Sequence, residues 1–225
     1  MIRVGLTGGI AAGKSVAGSR LVELGITVVD YDQLARDVVV PGSPGYLGVV
    51  EHFGSAILAE DATIDRAALA AAVFGDDEAL DHLEGIIHPL VIAEGQHLDD
   101  LAEARGEAIM VHSIPLLVEA AGPEVFDTVI VIDAPAEVRV ERLVSGRQMT
   151  EEEAWARIDA QSDDDVRLEA ADVVWDGSGT EENLRRQVDE WVEDVRSNGL
   201  AFRPNAERTT FLVTEDGVPD KKRSA

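Results

Sequence analysis

The chain has 225 residues and a hydrophobic fraction of 45%, enough to bury a core in one domain with inserted parts and too apolar for disorder. It contains no cysteine, which excludes a disulfide scaffold, a thiolate metal site and a cysteine nucleophile. Its 19 basic residues face 44 acidic ones, a net charge of -25 that repels nucleic acid and anionic lipid, so an anionic ligand needs a local concentration of positive potential.

Short β-branched runs alternate with helical stretches, the pattern of an α/β fold with a parallel sheet. Strands are expected at residues 2–6, 26–30, 108–113, 128–133 and 172–175. Helices are expected at 14–24, closed by Gly25, at 135–146, at 151–161 behind a Thr150/Glu153 capping box, and at 181–196. Residues 33–105 read as mostly helical, with breaks at 41–45, at Gly54 and at Pro89. This arrangement gives a core of residues 1–32 and 106–198 with a helical insertion at 33–105. From residue 199 the pattern fades, and 199–225 read as a flexible tail whose five basic and four acidic residues leave -26 on the rest. No apolar run approaches the ~20 residues that cross a bilayer, and the N-terminus enters a strand without a secretory leader. The expectation is a cytoplasmic protein with no membrane or nucleic-acid partner.

Gly8-Gly9-Ile10-Ala11-Ala12-Gly13-Lys14-Ser15 fits G-x-x-x-x-G-K-[ST], with a strand entering and a helix leaving. Gly8 and Gly13 permit backbone angles that a Cβ would block. The loop amides and the helix N-terminus converge on a nucleotide's phosphates, Lys14 neutralises phosphate charge and Ser15 offers a hydroxyl to Mg²⁺. The other lysines, Lys221 and Lys222, lie in the tail. The loop alone leaves ATPase, GTPase, kinase and passive sensor open. The absence of an N-K-x-D motif weighs against a GTPase.

Asp30 and Asp32 sit at the end of the second expected strand, where open α/β sheets present their ligand crevice. A carboxylate there takes a proton from an attacking hydroxyl or orients Mg²⁺-bound water. Asp32 equally suits the N-cap of the helix that follows, and the two readings stand level. Arg139 and Arg142 lie three apart on one helix, Arg147 follows in the turn, and Arg157 and Gln161 lie four apart on the next. Such a helical pair closes over a triphosphate, or its arginines pair with neighbouring glutamates on exposed faces.

The chain resembles the dephospho-CoA kinase family. The matching stretches are GLTGGIAAGKS (5–15), VVDYDQLARDVVVPG (28–42), FG (53–54), DRAALAAAVF (65–74), IIHPLV (86–91), IPLLVE (114–119), RLVSGRQMTEEEAWARIDAQ (142–161) and ADVVWDGSG (171–179). The resemblance implies a P-loop NTPase fold with a parallel five-stranded sheet, a helical CoA-binding insertion at 33–105 and a helical lid at about 139–161. It implies that ATP phosphorylates the 3′-hydroxyl of the ribose of dephospho-CoA, with Mg²⁺, giving CoA and ADP. By the same resemblance Asp32 is the base, Asp30, Thr7 and His88 lie near the acceptor, and Arg142, Arg147 and Arg157 serve the lid. The loop amides through Val16 and the DGSG loop, with Asp176, Gly177 and Gly179, would hold ATP, the latter along the adenine. A monomer or weak homo-oligomer is expected. The rival readings are a nucleoside or nucleotide kinase and a non-catalytic ATP-binding protein.

Several positions depart from the family pattern. Tyr31 stands where a small residue is usual, Glu84-Gly85 where Leu-Asn is common, Ser113 where an acidic residue is frequent and Gly177 where asparagine is usual. Val16 follows Ser15 in place of threonine. His52, His82, His97 and His112 show no metal-ligand spacing, Glu151–Glu153 and Asp163–Asp165 read as solvated, and Trp155, Trp175 and Trp191 read as packing.

Overall fold

A computed structural model describes residues 1–118, 122–147 and 149–198. The tail expected at 199–225 lies outside the described residues. Five strands form one sheet in the order β2-β3-β1-β4-β5, from β1 (Ile2–Gly8), β2 (Thr27–Asp30), β3 (Ile109–Ser113), β4 (Thr128–Asp133) and β5 (Val173–Asp176). β1 runs parallel to both β3 and β4, and β4 runs parallel to β5. β1 and β4 are apolar and buried along nearly their whole length, as strands covered on both faces must be.

The helices are α1 (Lys14–Glu23), α2 (Tyr31–Asp37), α3 (Pro44–Phe53), α4 (Arg66–Val73), α5 (Asp77–Ala104), α6 (Ala136–Arg147), α7 (Glu151–Asp159), α8 (Asp164–Glu169) and α9 (Glu181–Asn198). α1 ends as its sequence demands. Gly25 takes φ +79 and donates to Val22 O at 2.9 Å, while Ile26 N reaches Leu21 O at 3.0 Å, the paired bonds of a Schellman motif. The capping box of α7 forms with both of its bonds: Glu153 N donates to Thr150 Oγ1 and Thr150 N to Glu153 Oε2. Those bonds hold the Glu153 carboxyl below its ordinary pKa.

Two expectations fail. Pro89 does not break the chain: α5 runs 28 residues through it. Proline has no N–H to give the Gly85 carbonyl, but one lost bond is tolerated when the flanking turns carry the helix on. The six-residue α8 was not foreseen, because its acidic start and its length leave no apolar periodicity to read.

The described residues divide into two compact units, residues 1–29 with 105–198, and residues 30–104. The first contains the main core, where Val4, Leu6, Ala17, Leu21, Ile130 and Ile132 of β1, α1 and β4 meet Leu184, Val188 and Val192 of α9. Trp175 and Trp191 touch edge-to-face in it, centroids 5.9 Å apart, as packing residues. Among the described residues no helix is long and apolar enough to cross a membrane.

Candidate active site

The loop from Gly8 to Ser15 leaves the carboxyl end of β1, the strand at which the sheet order turns and where open α/β sheets bind ligands. Its shape depends on special backbone angles. Gly8 has φ +152 and Gly13 φ +123, and a Cβ on Gly8 would overlap Ile132 O. Ala11, at φ +60, occupies the left-handed region without being glycine, at a cost of roughly 1–2 kcal/mol. Strain of this kind gathers where successive amides are turned toward one point. Ala12 N closes the turn onto Gly9 O at 3.1 Å, and Val16 N and Ala17 N fold back on Gly13 O. Gly13 brings no side-chain cap to α1 and the first turn holds no carboxylate, so neither of these neutralises the positive helix end. Lys14 Nζ donates to Gly8 O at 2.5 Å, folded over the loop. Ser15 is exposed at the head of α1 and Val16 packs on the core.

The walls of the loop come from distant parts of the sequence. Ile10 and Ala11 pack on a small cluster made by Val140 and Leu143 of α6 and Ala154 and Ile158 of α7. Ile10 N donates to Gln161 Oε1 at 2.7 Å. Arg142 spreads its guanidinium over three backbone carbonyls: Nη1 donates to Ala11 O at 3.1 Å and Ala12 O at 3.5 Å, and Nη2 to Gly179 O at 3.0 Å. One arginine thus ties the phosphate loop to the loop after β5. That second loop is shaped by Asp176, whose Oδ1 accepts from Ser178 N at 2.8 Å and Ser178 Oγ at 2.6 Å. These bonds, with Arg142 nearby, hold the Asp176 carboxyl below its ordinary range. Gly177 lies where a Cβ would overlap Ala12 O and press on Ile132 Cγ2 at 2.8 Å, so this chain has no room there for the usual asparagine.

Residues 2–183 match the profile of the dephospho-CoA kinase family. The chain belongs to that family. A Streptomyces avermitilis dephospho-CoA kinase is 45% identical over 196 residues, covering 87% of this chain and 95% of the relative. A Mycobacterium bovis dephospho-CoA kinase is 45% identical over 227 residues, covering 99% of this chain, which spans only 55% of the relative's length. The dephospho-CoA kinase from Campylobacter jejuni, a solved structure, superposes with a TM-score of 0.65 at 25% identity, covering 86% of this chain and 96% of the other.

In this member of the dephospho-CoA kinase family, two aspartates expected on the acceptor side have separate duties. Asp30 is the N-cap of α2: its Oδ1 accepts from Asp32 N at 2.9 Å and Gln33 N at 3.3 Å. Asp32, read equally as base or cap, is not the cap. It stands in the first turn, exposed, and no hydrogen bond among the described residues engages its carboxylate. Tyr31 between them is accommodated by Gly95 of α5, where an added Cβ would meet Tyr31 Oη at 2.5 Å. The bulky ring is thereby absorbed into the α2–α5 packing.

Other expected site residues are placed differently from one another. Thr7 is fully buried and its hydroxyl donates to Pro115 O at 3.3 Å, so here it braces β1 and offers no surface to a ligand. His88 is exposed on α5. Arg147, in the last turn of α6, is exposed, and so is Arg157, whose charge lies near Glu153. Arg139 is not on an exposed face: it is 2% exposed and its Nη2 donates to Asp164 Oδ2 at 2.6 Å. Asp164 in turn is not merely solvated, since it also accepts from Arg167. Sequence reasoning noted Arg139 and Gln161 in the helical pair without giving either a site role of its own, and passed over Asp164 and Arg167. The three-residue spacing of Arg139 and Arg142 was the available signal for the first, and nothing local marked Asp164 as its partner.

Proposed function

We propose that the chain transfers the γ-phosphoryl group of ATP to the 3′-hydroxyl of the ribose of dephospho-CoA, giving CoA and ADP. The observation that carries this reading is the complete phosphate loop, Gly8 to Ser15, built in strained form in a chain of the dephospho-CoA kinase family. The loop amides and the N-terminus of α1 bind the polyphosphate, and Lys14 moves from Gly8 O to the phosphate charge. Arg142 holds the phosphate loop and the 176–179 loop in register, so that Asp176, Gly177 and Gly179 line the base by their backbone. Arg147 and Arg157 are exposed cations available to the triphosphate from α6 and α7.

Ser15 presents an exposed hydroxyl beside Lys14, an oxygen donor of the kind a hard divalent cation takes, and so would hold Mg²⁺. The bound ion would supply charge neutralisation at the phosphates. Asp32 accepts the proton of the attacking hydroxyl, a role supported by a carboxylate that the α2 cap leaves unengaged. The 30–104 unit, with His88, receives the acceptor.

An ADP-release assay with dephospho-CoA, adenosine and AMP as acceptors tests the reading. ADP formation that depends on dephospho-CoA is the expected result. Dependence on adenosine or AMP instead would make the chain a nucleoside or nucleotide kinase, and ATP binding with no acceptor-dependent ADP would make it a non-catalytic binder.

A further inference from the structure

Among the described residues β5 is an edge of the sheet, with β4 on one side and no strand on the other. A parallel strand turns the N–H and C=O groups of alternate residues to opposite sides. Gly177 N donates to Asp133 O of β4 at 2.7 Å, so the N–H and C=O of Asp176 point the other way, off the edge. Such groups are ordinarily left to water or to a further strand. Here Gln187 of α9 takes both: its Oε1 accepts from Asp176 N at 2.8 Å and its Nε2 donates to Asp176 O at 2.9 Å. A carboxamide offers a donor and an acceptor side by side, as a peptide group does, so this side chain stands where a sixth strand would. Nε2 also donates to Asn183 O at 3.3 Å, one turn back in α9, which fixes the amide in place. Gln187 lies three residues after Leu184 and four before Trp191, both buried, so the helix face that seals the core also carries the amide to the sheet edge.

Asp176 opens the loop that lines the base in the reading above, and it is tied at both ends. Gln187 holds its backbone, and its own carboxylate holds Ser178 N and Oγ. Gly177 is bound to β4 and Gly179 to Arg142, so the loop is fixed from the sheet, from α9 and from α6. Asp176 is exposed and Gln187 half-buried, so water is able to serve the same groups and the two bonds add little to stability. What they set is the plane of a peptide. A loop that meets a base by its backbone has no side chain to re-aim, so its peptide planes must be set in advance. We propose that Gln187 is a positioning residue of the donor-nucleotide site: by occupying the open edge of β5 it holds the 176–179 loop in the form that receives the base, without touching the nucleotide. The proposal rests on the nucleotide-binding reading above and adds to it a residue of the closing helix.

The test joins calorimetry of ATP and of inorganic tripolyphosphate to ADP-release kinetics, on the full chain at fixed salt and MgCl₂, for wild type, Gln187→Ala and Gln187→Met. Methionine keeps the length of the side chain and has no amide. Both variants weaken ATP by about fivefold to tenfold and leave tripolyphosphate within about twofold of wild type, because only the base has lost its seat. The KM for ATP rises by the same factor, while kcat and the KM for dephospho-CoA stay within about twofold. Equal losses for ATP and tripolyphosphate, or a fall in kcat at unchanged ATP KM, would mean that the amide merely joins α9 to the sheet, and would overturn the proposal. Wild-type ATP affinity in Gln187→Met overturns it too, since the bulk of the side chain and not its amide would then matter. If Gln187→Ala does not fold, Gln187→Met decides alone. A wild type that binds ATP no more tightly than tripolyphosphate takes the base away from the 176–179 loop, and the role of Gln187 falls while the phosphate loop keeps its own. A wild type that binds ATP alongside unresponsive variants sinks only the role of Gln187. A wild type that binds no ATP sinks the nucleotide reading with it.

Discussion

The unit of residues 1–29 and 105–198 and the unit of residues 30–104 bury their apolar groups in different ways. In the first, β1 and β4 are sealed on both faces, and α1 and α9 close over them in one continuous core. In the second, α4 buries no residue and the 28 residues of α5 bury only Val91, Gly95 and Ala102. Phe74 is 90% exposed there, and Leu47, Leu80, Ile92 and Leu101 are also exposed. A cradle for a polyphosphate must hold its amides aimed in advance, and dense packing does that. A thinly cored helical unit opens locally at lower cost, which suits the acceptor-receiving role proposed for it above.

The largest expected effect separates the two units by function. Asp32→Asn cuts turnover by about 10²-fold to 10⁴-fold while ATP affinity holds, measured by ADP release beside calorimetry. Turnover near wild type would leave Asp32 with no catalytic part. Next, Gly177→Ala drives a methyl group into Ala12 O and weakens ATP by about tenfold or more with the acceptor KM unchanged. An unchanged ATP KM would show that the 176–179 loop does not serve the nucleotide.

The packing of the second unit is probed by Gly95→Ala, which costs about 1–3 kcal/mol in urea unfolding by displacing Tyr31. Adding Tyr31→Phe removes the Oη that the new methyl group meets and recovers part of that loss; no recovery would mean the notch is not what seats the ring. Asp30→Ala costs about 1 kcal/mol as the loss of a helix cap and leaves chemistry to Asp32, so a turnover loss larger than the stability loss would reverse their assignments.

The smallest effect is in acid. The Asp176 carboxyl lies below its unfolded pKa because Ser178 bonds its charged form. It therefore adds stability above about pH 4, and that stability is lost as the pH falls through the lowered folded value. Ser178→Ala removes the hydroxyl bond and leaves the backbone N–H bond, so its thermal midpoint falls somewhat less steeply than that of wild type between about pH 5 and pH 2. Parallel curves would show that the Ser178 hydroxyl contributes nothing.

Much of the fold was legible because its signals are local. Gly25 closes α1, Thr150 and Glu153 cap α7, and the β-branched runs at 128–133 and 172–175 become β4 and β5 within a residue. α8 was missed because six residues beginning in acidic side chains carry no period. Pro89 misled because its penalty is one lost bond in a helix of 28 residues. The cap was weighed at Asp32 and not at Asp30 because the helix begins directly after the strand ends, a boundary that residue types alone do not fix.

By itself the sequence determined the phosphate loop, the strands that frame it and the helix that leaves it. Those features depend on backbone freedom and hydrogen bonds among residues a few positions apart. Only the tertiary structure decided that Arg139 lies buried against Gly9, that Arg142 spans two loops, that Gln161 holds Ile10 and that Gly95 makes room for Tyr31. Each of these joins residues more than 30 positions apart, and it is the packing of the folded chain, not any local preference, that brings them within reach.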